Sequence, residues 1–291
     1  MQCNKGLFTL DECEKKVFLK NPVDESYKVV SIVFKGKYGI VRKLIHKKTG
    51  ILYAAKSIKK QTLTDNWTPS IHHEIAVLQK CKSKSIVRLH EVFETASHVT
   101  IVMEYMVGGD LQSIFEKREC LSEVETKTVI AQLLESVRIL HHQNIVHMDI
   151  KIQNVLLSKP NCLENIKLCD FGISKFLEPG RVVRALQGTL DYLAPELLKR
   201  DQITLKVDVW SIGVLTYSLV SGYTPFGVQS QEETIRNITR GIVKFDEKLC
   251  GSITVGCIKF IKSMLVLDPK LRPTVDELIK HVWLTTGKRS S

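Results

Sequence analysis

Asp149, Lys151 and Asn154 stand within six residues of one another in the segment IVHMDIKIQNVLL, and Asp170-Phe171-Gly172 follows at the end of the run IKLCD. Phosphoryl transfer needs positioning and charge neutralisation more than covalent help, and these residue types could supply both. Asp149 can accept the proton of an attacking hydroxyl. Lys151 can neutralise a moving phosphoryl group. The Asn154 amide oxygen and the Asp170 carboxylate are hard donors of the kind Mg²⁺ takes. Upstream, Lys56 lies in the apolar run LYAAKSI. An ammonium in such a strand costs desolvation unless it is paired. Glu74, on the same face of the next helix as Ile71 and Leu78, is the candidate partner; the alternative is two ordinary surface charges. Still earlier, FKGKYGIV places Gly36 and Gly39 in a turn between two strands, where the backbone could approach a phosphate closely. By itself that is only a glycine-bearing hairpin. Together with the other groups, in this order, Val33, Phe34, Lys35, Gly36, Lys37, Tyr38 and Gly39 read as a lid over phosphates.

These groups need a scaffold, and the hydrophobic pattern describes one. Residues 1–26 are mixed and charged and read as an N-terminal arm. From Tyr27 the runs KVVSIV, GIVRKLI and LYAAKSI are short and β-rich, with HKKTG as a turn, so a small antiparallel sheet is expected. Ile71, Ile75 and Leu78 recur at helical spacing. Two further strands, IVRLHEVFE and HVTIVMEYM, precede the break at Gly108-Gly109. Ser122 and Glu125 then form a capping-box pattern that opens a helix carrying Val129, Ile130, Leu133, Leu134, Val137 and Leu140. Helices dominate from about Ala194 to Leu284. The expected fold class is α+β: a β-rich small lobe over about 27–104 and a helical large lobe over about 107–284, with a tail at 285–291. A cleft between two unequal lobes is a natural ligand site.

Composition narrows the classes. The chain has 291 residues, 44% of them hydrophobic and 25% charged, which suits an ordinary globular protein of one large domain or two small ones. Its formal net charge is +11, but the basic residues are scattered and do not interleave with aromatics, so direct nucleic-acid readout is disfavoured. The longest apolar stretch, VDVWSIGVLTYSLV, is shorter than the ~20 residues of a membrane span and contains Asp208; it reads as a buried helix. Eight cysteines occur without a CxxC pair, and the N-terminus shows no secretory signal. Reduced thiols and an intracellular compartment, cytoplasmic or nuclear, with no membrane partner, are therefore expected.

Lys56, Glu74, the HxDxKxxN pattern of His147–Asn154, DFG at 170–172 and APE at 194–196 resemble the protein-kinase signature set. DVWSIGV at 208–214 and DPKLRP at 268–273 continue the likeness over about residues 27–284. Within the kinases, YAAKSIKK, HEIAVLQ, LHEVFE, HHQNIVHMDIKIQN and DYLAPELL are most similar to the death-associated protein kinase group, and to its short apoptosis-inducing members. The resemblance implies a bilobed kinase fold and a serine/threonine protein kinase using ATP with Mg²⁺, or Mn²⁺ in its place. It also implies a role in apoptosis, stress or cytoskeletal signalling. Lys151 and the Gly188-Thr189 pair are like those of serine/threonine rather than tyrosine kinases, and by the same resemblance Thr189 bonds Asp149. It further implies Met103 behind adenine, Glu104 and Met106 at the base edge, and Val41, Ala54 and Leu156 around the ring. Asp110 would lie near the ribose or a basic substrate residue, and Glu196–Arg272 would be a structural ion pair.

Several positions depart from the family pattern. Phe34 replaces the first lid glycine. Ile152, Leu190 and Val282 replace prolines. Met148 replaces an arginine that pairs with a phosphorylated activation loop, and residues 173–187 carry only Ser174 as a hydroxyl residue, so activation without loop phosphorylation is expected. Gln153 replaces a glutamate that reads basic substrates while Asp110 remains, which leaves a modest basic preference. Cys169 reads first as a small buried hydrophobe and second as a thiol at the back of the nucleotide site. The histidine pairs 72–73 and 141–142 lack an HExxH frame. The alternative functional class is a pseudokinase-like scaffold, against which the intact Lys56, Asp149, Asn154 and Asp170 argue; a small-molecule kinase and an adaptor are the other readings. No calmodulin-binding helix is expected in the residues after Leu284.

Overall fold

The computed structural model describes residues 18–19, 23–36, 39–60, 68–245 and 253–286. Lid residues Lys37 and Tyr38, most of the N-terminal arm and the end of the C-terminal tail lie outside them. The chain divides into two compact units, residues 1–83 with 87–106, and residues 84–86 with 107–291.

In the first unit, strands β1 (Phe18–Leu19), β2 (Tyr27–Gly36), β3 (Gly39–His46), β4 (Leu52–Lys59), β5 (Leu89–Glu94) and β6 (His98–Glu104) make one sheet in the order β1-β5-β6-β4-β3-β2. Strands β2 to β6 pair antiparallel, as their short connections allow, and the two-residue β1 lies parallel to β5. The arm is thus more ordered near its end than its composition suggests: α1 (Val23–Ser26) adds a helical turn, and Val23 packs on the core of Tyr27, Leu44, Ala55, Phe93 and Val102. The Tyr27 hydroxyl donates to Glu91 at 2.6 Å, which satisfies the one polar atom of that ring. Helix α2 (Thr68–Lys80) buries Ile71, Ile75, Val77 and Leu78, the stripe its periodicity predicts.

The second unit is mainly helical. It contains α3 (Gln112–Arg118), α4 (Glu123–His142), α5 (Pro195–Leu198), α6 (Lys206–Ser221), α7 (Gln231–Arg240), α8 (Val255–Met264), α9 (Val275–Ile279) and α10 (Val282–Thr285). Two small antiparallel ladders join β7 (Ile145–Val146) to β10 (Lys175–Phe176), and β8 (Val155–Leu156) to β9 (Lys167–Leu168). Every residue of α6 from Val207 to Val220 is buried, so the near-continuous apolar run is a central core helix. No helix among the described residues is long and apolar enough to cross a membrane.

Polar clamps fix the ends of these helices. The Arg272 guanidinium grips Glu196 with two bonds of 2.7 and 2.8 Å, donates to the Val266, Lys206 and Leu267 carbonyls, and lies over the Trp210 ring. Such a buried pair costs desolvation, which the additional acceptors offset. Glu123 at the start of α4 accepts from the Thr254 backbone at 2.6 Å and from Trp283 Nε1 at 2.7 Å, tying α4 to α8 and α10. At the same end, Ser122 and Glu125 form the predicted capping box, and the Arg118 fork reaches both Glu125 oxygens at 2.8 Å.

That fork and the Ser122 hydroxyl hold the Glu125 carboxyl down at about 2, against 4.5 unperturbed. A carboxylate whose pKa falls on folding stabilises the folded state above its unfolded pKa and loses this contribution as pH drops toward the folded value. Wild type should therefore exceed Glu125→Gln in stability by a constant margin above about pH 5, and the margin should shrink between about pH 4.5 and 2. Urea unfolding of both proteins across that range checks the slope and its sign.

Candidate active site

In the second unit, residues 145–154 run from β7 into a short 3₁₀ turn, Ile152–Asn154, so Asn154 sits on a turn and not in open loop. Asp149 is the hub. Its Oδ1 accepts from the Thr189 hydroxyl at 2.8 Å and the Thr189 backbone N–H at 3.1 Å. Its Oδ2 lies 2.7 Å from Lys151 Nζ and 3.1 Å from Asn154 Nδ2. Lys151 also donates to Thr189 Oγ1 at 2.9 Å, which closes a ring of three side chains. Asn154 Nδ2 donates to the Asp149 carbonyl at 2.8 Å, so both amide hydrogens point into the loop and its oxygen is turned the other way. Four of the residues singled out from the sequence are thus brought together: Asp149, Lys151, Asn154 and Thr189.

Asp208 explains why the loop has this shape. It lies in the first turn of α6 and is fully buried. Its Oδ2 accepts from the His147 N–H and Oδ1 from the Met148 N–H, each at 2.9 Å, while His141 Nε2 donates to Oδ2 at 2.9 Å. Met148 consequently adopts a left-handed backbone, φ +69°, which a non-glycine residue reaches only at a cost. Opposite it, Gly188 has φ +122°, and a Cβ there would lie 2.8 Å from the Met148 carbonyl oxygen. Only glycine therefore lets the Thr189 segment close on Asp149. Sequence reasoning noticed Asp208 as a charge inside an apolar run and as the start of the kinase-like DVWSIGV, and assigned it no partner. That anomaly was the available signal, because a buried carboxylate needs donors.

His147 links this loop to the next. Its Nδ1 accepts from the Asp149 N–H at 3.2 Å and its Nε2 donates to the Cys169 carbonyl at 3.1 Å, so the ring is the neutral Nε2–H form. The ring also meets Phe171 edge-on at 5.1 Å. Asp170 is exposed, with φ +63°, and its Oδ1 accepts from the Gly172 N–H at 3.4 Å. Cys169 is half-exposed, which corrects its reading as a buried hydrophobe. Leu168 before it takes the inward position of the strand, and alternation turns Cys169 outward. The fully buried thiols are elsewhere: burial pushes Cys81 up to about 11 and Cys257 to about 12. Asp110 and Leu156 form a β-bridge, and the Asp110 carboxylate accepts from the Ser113 N–H at 3.0 Å.

In the first unit, the Lys56 ammonium contacts both oxygens of Glu74, at 2.8 and 2.9 Å, and both residues are buried. The register places Val41 opposite Lys56 and Ala54 opposite Met103. The Glu104 N–H is committed to the Arg88 carbonyl, its carboxylate accepts from the Arg88 N–H, and Met106 is buried. Phe34 is 62% exposed, and any side chain at Gly36 would collide with its ring. Val33, Lys35 and Gly36 are exposed along β2, and Gly39 opens β3.

The sequence profile described as "Protein kinase domain" matches residues 27–284. The chain belongs to the protein kinase family. Enzymes of this family use ATP and a divalent metal. The kinase is 38% identical over 283 residues to a "Death-associated protein kinase related" protein of Drosophila melanogaster, covering 96% of this chain and 42% of that protein. It is 38% identical over 254 residues to "Serine/threonine-protein kinase 17A" of Oryctolagus cuniculus, covering 86% and 64% respectively. "Death-associated protein kinase 2" of Mus musculus is 34% identical over 275 residues, 93% of this chain and 74% of its own. The kinase thus groups with the death-associated serine/threonine kinases, although it spans only 42% and 64% of the first two relatives' length.

Asp208→Asn keeps the size of the side chain but puts an amide N–H against one of the donors it now accepts from. It should cost about 1–3 kcal/mol, the penalty for a buried donor left without an acceptor. Urea unfolding measures the loss, and hydrogen exchange should quicken at the His147 and Met148 amides ahead of the amides of α6.

Proposed function

We propose that this kinase transfers the γ-phosphoryl group of ATP to serine and threonine hydroxyls of proteins, with Asp149 as proton acceptor. The observation that carries the reading is the ring formed by Asp149, Lys151 and Thr189, which aims a carboxylate and an ammonium at one place. The substrate oxygen bonds to the γ-phosphorus, the bond from phosphorus to the bridging oxygen breaks, and ADP leaves. Asp149 takes the hydroxyl proton, and Lys151 offsets charge on the moving phosphoryl. Thr189 holds the Asp149 carboxylate in the orientation that accepts. Lys56, kept in place by Glu74, is the cation for the nucleotide phosphates, and Val33–Gly39 their lid. Val41, Ala54, Met103, Glu104, Met106 and Leu156 are assigned to the adenine, and Asp110 to the ribose or a basic substrate residue.

The metal assignment is Mg²⁺, with Mn²⁺ able to replace it, on Asn154 and Asp170. Two hard oxygen donors, one of them an amide oxygen turned out of the loop, suit an ion that completes its shell from phosphate oxygens and water. When bound, the ion supplies neutralisation of phosphate charge.

The likeness to death-associated kinases supports a role in apoptosis or related stress signalling; the compartment is assigned as cytoplasm or nucleus, and Asp110 leaves a modest preference for basic substrates. Met148 adds a regulatory reading. It is buried and apolar where a guanidinium would bind a phosphate, so loop phosphorylation does not switch this enzyme on.

Transfer of labelled γ-phosphate to myosin light chain should be measured for wild type, Asp149→Ala and Asp170→Ala. Asp149→Ala should lower kcat by about 10²–10⁴ with the fold intact, and loss of Asp170 should cost at least as much. Wild-type activity no higher than that of the variants, with ATP still bound, would point instead to a nucleotide-binding scaffold. A second measurement treats the purified kinase with phosphatase and maps residual phosphate by mass spectrometry. Activity should be unchanged after complete loss of phosphate from residues 173–187, and a steep fall would defeat the regulatory reading.

A further inference from the structure

Strand β2 has β3 on one side, and its other edge carries no strand among the described residues. Eighteen large hydrophobic residues are exposed among those described, and five of them, Val29, Val30, Ile32, Val33 and Phe34, fall within six consecutive positions of this strand at 49–62% exposure. Apolar residues at successive positions put apolar side chains on both faces of a strand, so neither face is ordinary solvated surface. An edge with unpaired backbone groups and an apolar flank is a template for another strand.

Charge says what kind of strand. Residues 27–64 contain ten Lys or Arg and no Asp or Glu. Asp24 and Glu25 of α1 precede this stretch, Lys47 donates to the Asp24 carbonyl, and Lys56 is held by Glu74. Lys60 pairs with Glu94, and on β2 itself Lys28 and Lys35 stand one at each end of the apolar run, both exposed. A second copy of the chain is disfavoured as occupant. Antiparallel self-pairing centred between Ser31 and Ile32 would set Lys28 of each copy opposite Lys35 of the other, and like charges directly opposite destabilise a ladder. An extended segment carrying carboxylates meets the same two lysines as attractions.

We propose that the free edge of β2, centred on residues 28–32, docks an extended acidic and apolar segment of a partner protein by strand addition. Backbone pairing would supply affinity, and the flanking lysines the choice of partner. The apolar run and its flanking lysine overlap the proposed lid at Val33, Phe34 and Lys35, whereas Lys28, Val29 and Val30 lie outside it.

The test is fluorescence anisotropy of the full chain with a labelled peptide of alternating Glu and Val. The comparison peptides have Lys in place of Glu, or N-methyl groups on every residue. The acidic peptide should bind and weaken as salt rises. The methylated peptide, which can donate along neither edge, should bind at least roughly tenfold more weakly, as should the Lys peptide. Lys28→Glu and the double variant Val29→Thr/Val30→Thr should each weaken binding by about three- to tenfold, with phosphotransfer to a free peptide unchanged. Equal binding of the methylated or Lys peptide would overturn the proposal. So would a dimer in sedimentation that the double variant dissolves, because the occupant would then be a second copy. If a variant fails to fold, the peptide comparisons still decide, since they leave the protein unaltered.

Discussion

The second unit depends on one carboxylate with no access to water. Asp208, buried in the first turn of an apolar helix, needs donors, and it finds two of them in the backbone of the loop that carries Asp149. The dependence runs both ways. The loop needs Asp208 to hold a left-handed turn at Met148, and Asp208 needs the loop to justify its burial. A site built this way is rigid because undoing it strands a buried charge, a stronger constraint than any exposed hydrogen bond imposes.

The first unit uses the same economy on a smaller scale. Lys56 sits in the central part of an antiparallel sheet, opposite Val41 on one side and Ile101 on the other, and its pairing with Glu74 offsets the cost of that location. Because Glu74 belongs to α2, the pair also sets how the helix lies on its own sheet. The buried stripe of Ile71, Ile75 and Leu78 keeps the helix from rotating away from that ammonium.

Much of this was legible in the residues, and the limits have physical causes. The sheet, α2 with its stripe and α4 with its capping box follow from periodicity and local hydrogen-bonding chemistry, which act over a few residues. Lys56–Glu74 was readable because a lysine in an apolar strand demands a partner and the helix offered one carboxylate on the right face. The ring of Asp149, Lys151 and Thr189 was readable only in part. Two members are near in sequence, but Thr189 came from likeness to kinases, since no local rule brings residues forty positions apart together. Asp208 was visible as an anomaly without an assigned purpose, because its partners are backbone amides and any residue type provides those. The strand formed by Phe18 and Leu19, and the outward turn of Cys169, depend on tertiary pairing that short windows do not encode.

Asp208 grips main-chain amides, and the Gly188 segment closes against a main-chain carbonyl; neither reads the side chain at 148. The shape of the loop and the identity of that residue are therefore separate heritable traits. Another side chain at 148 would leave both of those main-chain contacts in place. Position 188 has no such freedom, since every substitution there alters geometry before it alters anything else.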